Sequence, residues 1–179
     1  MVVLPRSFYE RPVLTVAKDL LGMILVHGDK RVRIVEVEAY MGPEDLAAHS
    51  ARGRRTSRTE VMYGEAGHAY VYFIYGMYHC MNVICQQPGE PVGVLLRAGD
   101  PGCRGPGVLC RELGITRALS GADLTTGVEL RIEAGPPPLE PIVKTTRIGV
   151  AYAGDWAQKP WRFYLEGNKW VSHPLRRSR

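Results

Sequence analysis

Two carboxylates and a phenol fall on every second residue of one short stretch: Glu36, Glu38 and Tyr40, within VRIVEVEAY at 32–40. Strand alternation puts Ile34, Glu36, Glu38 and Tyr40 on one face, and Arg33, Val35, Val37 and Ala39 on the other. A carboxylate beside an aromatic ring at a strand end suits a general base next to a stacking surface. An edge strand with a solvated acidic face has the same pattern. Spacing alone does not rank Glu36 against Glu38.

A second group is cationic. Arg52, Arg54, Arg55 and Arg58 fall within seven residues, and Arg176, Arg177 and Arg179 finish the chain. Arg54, Thr56 and Arg58 are spaced like donors for successive phosphate oxygens, although a solvated basic loop reads the same way. A third group is aromatic. His68 to Gln86 reads as two strands folded about Tyr75-Gly76-Met77, with Tyr70, Tyr72 and Ile74 on one face and Val71, Phe73 and Tyr75 on the other. A large ring on a hairpin tip suits a wedge between base pairs. The same tyrosines would suit single-strand stacking, or plain cross-strand packing.

Cysteines at 80, 85, 103 and 110 form no Cys-x-x-Cys, and histidines at 27, 49, 68, 79 and 173 complete no zinc spacing. Buried free thiols explain them better than a His79/Cys80/Cys85 cluster, so the expectation is no metal and no cofactor.

These groups need a scaffold. The 179 residues suit one domain with a sizeable core, and 45% hydrophobic with 23% charged content is ordinary for a soluble protein. With 13 prolines and 20 glycines, a strand-rich, loop-rich build is expected. No apolar run reaches a membrane span, and MVVLPRSFYERP lacks a signal-peptide core, which suggests an intracellular protein. The net charge of +5 and pI near 9.1 favour an acidic partner.

Along the chain, Ser7-Phe-Tyr-Glu10 has the form of a capping box, and Val13, Val16, Ala17, Leu20 and Leu21 recur at helical spacing before Gly22. Met23–His27 and the 32–40 strand form a hairpin over Gly28-Asp29. Met41 to Tyr63 is a long loop, a kind more often functional than not. Val92 to Arg97 reads as a strand ending in an edge charge, Gly99 to Gly107 as a connection, and Val108 to Leu113 as a short helix closed by Gly114. Asp123 to Glu133 suggests paired strands around Thr126-Gly127, Gly135 to Ile142 a stiff extended segment, and 171–179 a loose tail.

The chain resembles the alkyladenine (3-methyladenine) DNA glycosylase family of the mammalian and bacterial type. The resemblance is carried by IVEVEAYMGPEDLAAHS at 34–50, RRTSR at 54–58, YVYFIYGMYHCMN at 70–82, VLLRA at 94–98, GPGVLC at 105–110 and RIGVAYAGDWAQKPWRFY at 147–164. It spans nearly the whole chain in the family's order. With the strand-rich reading it implies an α+β fold: one mixed domain with an antiparallel-rich curved sheet, a protruding β-hairpin and a few short helices.

The resemblance also implies a base-flipping enzyme that removes alkylated or deaminated purines from double-stranded DNA. Glu38 matches the carboxylate that deprotonates the attacking water, and Arg97 a residue that helps hold that water. Tyr40, His49 and Tyr72 match the base-binding pocket, and Asn82 the position that clashes with the amino group of guanine. Tyr75 matches the intercalating residue, and Arg54, Thr56, Arg58 and Met77 match DNA-backbone contacts. Residue types agree with this chemistry. Turning a nucleotide out costs a few kcal/mol, which Tyr75 offsets in part, and ring walls attract a cationic N-alkylpurine by about 0.5–2 kcal/mol. No lysine sits beside Glu38 in the motif, so simple hydrolysis without lyase activity is expected. The implied protein is a monomer with no membrane partner, cytoplasmic and nucleoid-associated in a bacterium or nuclear in a eukaryote. Two departures bear on DNA affinity: only AGDPGCR stands between Arg97 and Gly105, and Val108 replaces a frequent lysine. The rival readings are a non-catalytic single-strand binder built on the tyrosine hairpin and a hydrolase of free nucleosides.

Overall fold

In the computed structural model, which describes residues 2–175, the chain opens with two short helices, α1 (Arg6–Tyr9) and α2 (Val13–Leu20). The capping box does not form. Ser7 lies inside α1, and Pro5, whose ring fixes φ, stands at the N-cap without a side-chain hydrogen bond. The amphipathic α2 buries Val13, Val16, Ala17 and Leu20 against the sheet strands that follow.

Those strands are β1 (Ile24–His27), β2 (Lys30–Tyr40), β3 (Ala69–Ile74), β4 (Tyr78–Cys85), β5 (Val92–Asp100), β6 (Cys103–Arg104), β7 (Leu130–Glu133), β8 (Ile142–Thr145) and β9 (Arg162–Leu165). They make one curled antiparallel sheet in the order β3-β4-β5-β2-β1-β7, with β6 on β5, and β9 joining both β2 and β8. Helix α3 (Pro106–Leu113) packs Leu109, Cys110 and Leu113 into the same core and stops at Gly114, whose φ of 71° is left-handed. The fold is thus the expected mixed α+β class. All four cysteines are buried and free.

β2 is the organising strand, and it is central rather than an edge. Its first half pairs with β1, residues 36–38 pair with β9, and its other side runs along β5. The alternation read from sequence breaks in the middle. The register against β5 slips between Ile34 and Glu36 and again between Glu36 and Val37. Ile34 and Val35 are therefore both in the core, with Val37 and Ala39, and Ile34 does not share the carboxylate face.

Three other expectations are corrected. β5 continues to Asp100, so Arg97 is not at a strand end but mid-strand and buried. No strand pair surrounds Thr126-Gly127; only Leu130–Glu133 is a strand there, beside β1. Residues 171–175, expected to trail loosely, are packed: Val171 is buried, and the Leu175 amide donates to Tyr164 Oη at 2.9 Å. Arg176, Arg177 and Arg179 lie outside the described residues.

Candidate active site

Past Tyr40 the chain turns at Gly42, whose φ of 90° suits only glycine, into the 41–63 loop. One buried ion pair fixes the loop's start. Arg147 reaches both oxygens of Asp45 at 2.5 and 2.9 Å, and both side chains are fully buried. Asp45 also accepts from the amides of Met41 and Ala47, while Arg147 donates to the Ala39 and Trp156 carbonyls. The guanidinium lies over the Tyr40 ring at 4.7 Å. Tyr40 is thereby held from behind.

The opposite wall comes from the hairpin. Tyr70 and Tyr72 project from the same face of β3, and His49 from the loop meets both, 4.4 Å from the Tyr72 centroid. His49 Nδ1 and Tyr70 Oη are 2.9 Å apart. Burial, helped by Arg58 and Arg54, lowers the imidazole pKa to about 4, so the ring is neutral at physiological pH. Burial also raises Tyr40 and Tyr72, whose phenols stay protonated. Asn82, opposite Tyr70 across the hairpin, donates to the Tyr70 carbonyl at 3.3 Å. Tyr40, His49, Tyr72 and Asn82 thus line one cavity with Ala47, Met62, Tyr70 and Gly93. It is a narrow slot of about 30 Å³. A wider concavity of about 870 Å³ lies along Arg58, Tyr63, Phe73 and Arg117, but no carboxylate of β2 lines it.

Glu36 and Glu38 are both inaccessible to solvent, and their surroundings differ. Glu36 is saturated. Its Oε1 accepts from Arg97 Nε, Arg162 Nη1 and Ser172 Oγ, and its Oε2 from the Ser172 amide at 2.7 Å. Glu38 has one donor per oxygen: Arg97 Nη1 at 2.7 Å on Oε1 and the Ile148 amide at 2.9 Å on Oε2. Each of its oxygens keeps a lone pair for another donor. Burial pushes the Glu38 pKa up against the opposing pull of Arg97 and the Ile148 amide. The face that carries Glu38 also carries the slot wall Tyr40, two residues on, although Glu38 itself does not line the slot.

Tyr75 and Met77 stand on the hairpin tip, 81% and 64% exposed. The turn needs positive φ at Tyr75 (56°) and Gly76 (62°). Arg54, Thr56 and Arg58 are exposed on the loop beside the slot. The Thr56 hydroxyl is already engaged with Thr59, closing the turn reciprocally. Arg55 pairs with Glu60 in solvent, where such a pair contributes little. Among the described residues no group of three His, Cys, Asp or Glu side chains is placed to hold a metal ion, and no helix is long and apolar enough to cross a membrane.

A family model, methylpurine-DNA glycosylase, matches residues 7–103 and 102–169. The chain belongs to the methylpurine-DNA glycosylase family. It is similar, at 53% identity over 94% of its length and 92% of the relative's, to a protein of Anaeromyxobacter sp. (strain Fw109-5) named as a 3-methyladenine DNA glycosylase. Proteins of the same name match from Methanocella arvoryzae, at 47% identity over 96% of each chain, and from Legionella pneumophila, at 47% over 94% of this chain and 97% of the relative. Membership makes this chain a DNA glycosylase, a hydrolase of DNA repair, and sets aside the non-catalytic binder. Several residues that build this candidate site give no signal in the sequence. Asp45 and Arg147 gave no local signal because their pairing spans 102 positions. Ser172 and Arg162 likewise reach Glu36 from the chain's far end. Tyr70 was legible only through its alternation with Tyr72.

Proposed function

We propose that this chain excises alkylated purines such as 3-methyladenine and 7-methylguanine, with hypoxanthine and ethenoadenine, from double-stranded DNA, as a monomer without lyase activity. The observation that carries the reading is Glu38: a buried carboxylate with one donor on each oxygen, two residues along the same strand face from an aromatic slot. Tyr75 enters the stack as the nucleotide swings out. The base passes between Tyr40 and the His49–Tyr72 pair, whose ring faces favour a cationic purine. Neutral His49, its Nδ1 held by Tyr70, offers Nε2 to the base edge. Asn82, its amide fixed on the Tyr70 carbonyl, faces the amino group of guanine as an obstacle.

Glu38 then takes one proton from a water molecule, the oxygen bonds to C1′, and the purine leaves with the glycosidic electron pair. The same carboxylate stabilises the oxocarbenium character of the sugar. Arg54, Thr56, Arg58 and Met77 hold the flanking backbone. A natural test is release of free base from duplexes that each carry one defined lesion, followed by inspection of the strand. The expected result is base release that leaves an intact abasic strand. No release from any of the lesions overturns the proposal, and strand scission without added base overturns its monofunctional part.

A further inference from the structure

Arg97 touches three groups at once: Glu38 through Nη1, Glu36 through Nε at 3.2 Å, and the Ser172 hydroxyl through Nη2 at 3.3 Å. Ser172 closes the circuit. Its hydroxyl donates to Glu36 Oε1 at 2.9 Å and its amide to Glu36 Oε2 at 2.7 Å. The next residue is tied down as well, since the His173 carbonyl accepts from Arg162 Nη2, and Arg162 Nη1 reaches Glu36 at 3.0 Å. Each of the three nitrogens of the Arg97 guanidinium thus has a partner, and two of the three partners are Glu36 and Ser172.

We infer that Ser172, at the C-terminal end of the fold, is a positioning residue for the glycosylase reaction: through Glu36 it sets the plane of the Arg97 guanidinium, and so the donor that Glu38 meets. A guanidinium is a rigid planar fork, so fixing Nε and Nη2 fixes where Nη1 points. Glu36 holds the fork at Nε, and the hydroxyl supplies a second anchor at Nη2. The charged groups joined in this circuit are Arg97, Arg162, Glu36 and Glu38, two cations and two anions, which sum to zero. Replacing Ser172 leaves that sum unchanged, so its effect is geometric.

The inference rests on the proposed role of Glu38. Its test compares wild type, Ser172→Ala and Ser172→Thr in single-turnover release of base from lesion duplex, alongside lesion-duplex affinity and melting temperature. Ser172→Ala is expected to slow release by about tenfold, the order of one lost charge-assisted hydrogen bond. Affinity and fold should hold, because Ser172 is not among the residues that line the slot. Ser172→Thr, which keeps the hydroxyl, should restore most of the rate. Ser172→Ala with the wild-type rate, or a loss mirrored in affinity, overturns the inference. So does a loss that Thr fails to restore. A wild type that releases no base instead overturns the functional reading itself, which separates the two failures.

Discussion

Replacing Arg147 by Met is expected to be the most destabilising single change near the site. The side chain is fully buried and bidentate on Asp45, which is itself fully buried. Met keeps much of the volume but leaves a buried carboxylate with only two amide donors. Breaking such a pair by removing one partner costs about 3–5 kcal/mol. The contacts over Tyr40 and Trp161, at 4.7 and 5.1 Å, place the variant toward the upper end of that range. At roughly 2–4 °C per kcal/mol for a chain of this size, the melting temperature should fall by about 6–20 °C. Urea and thermal unfolding measure this directly. The double variant Arg147→Met with Asp45→Leu removes the stranded charge and should recover part of the loss, since apolar replacement of a whole buried pair is often tolerated. A single-variant loss below about 1 kcal/mol, or a double variant as unstable as the sum of the two singles, refutes the claim that this pair anchors the loop behind Tyr40.

Other outcomes follow from the same geometry. Tyr75→Gly relieves a positive φ at an exposed position, so the fold should lose less than about 0.5 kcal/mol, while lesion-duplex binding and base release fall; an unimpaired enzyme would remove Tyr75 from the mechanism. Arg54→Ala and Arg58→Ala should each reduce the slope of log affinity against log salt by about 0.9 if each neutralises one phosphate; an unchanged slope assigns the arginine elsewhere. Because burial raises the Glu38 pKa and the base works ionised, base release should rise with pH through a midpoint above the usual carboxylate range. A rate that falls as pH rises through that region would contradict the assignment. An NMR titration of His49 should show no transition near the usual 6.5, its pKa having been lowered to about 4; a normal transition would mean that the ring is solvated.

Much of this site was legible from one sequence because its parts are local. β2 brings Glu38 and Tyr40 to one face by simple alternation, the hairpin does the same for Tyr70 and Tyr72, and Tyr75 sits at the tip that Gly76 permits. Local patterns failed where the fold closes over distance. Arg97 looked like an edge charge, because the glycine-rich residues after it resemble a turn, yet β5 continues to Asp100 and buries it against two carboxylates. Period-two alternation puts Ile34 on the acidic face because it assumes an unbroken ladder, and the register slips on either side of Glu36 cannot be seen in residue types. Spacing does not rank Glu36 against Glu38 and only the family resemblance favours Glu38; the partners that distinguish their surroundings arrive from residues 148, 162 and 172. The packing of 171–175 was hidden for the same reason, since a Trp-Val-Ser-His segment shows no sign of the buried carboxylate waiting for it.

The central claim is that the Glu38 carboxylate activates the water that cleaves the glycosidic bond. It is tested most directly by single-turnover base release from a hypoxanthine duplex, a lesion that is not a cation and cannot leave unaided, with wild type and Glu38→Gln at matched occupancy. The account predicts that the glutamine variant still binds the duplex but releases base at least about a hundredfold more slowly, the low end of a general-base contribution. Equal rates from the two proteins would contradict it.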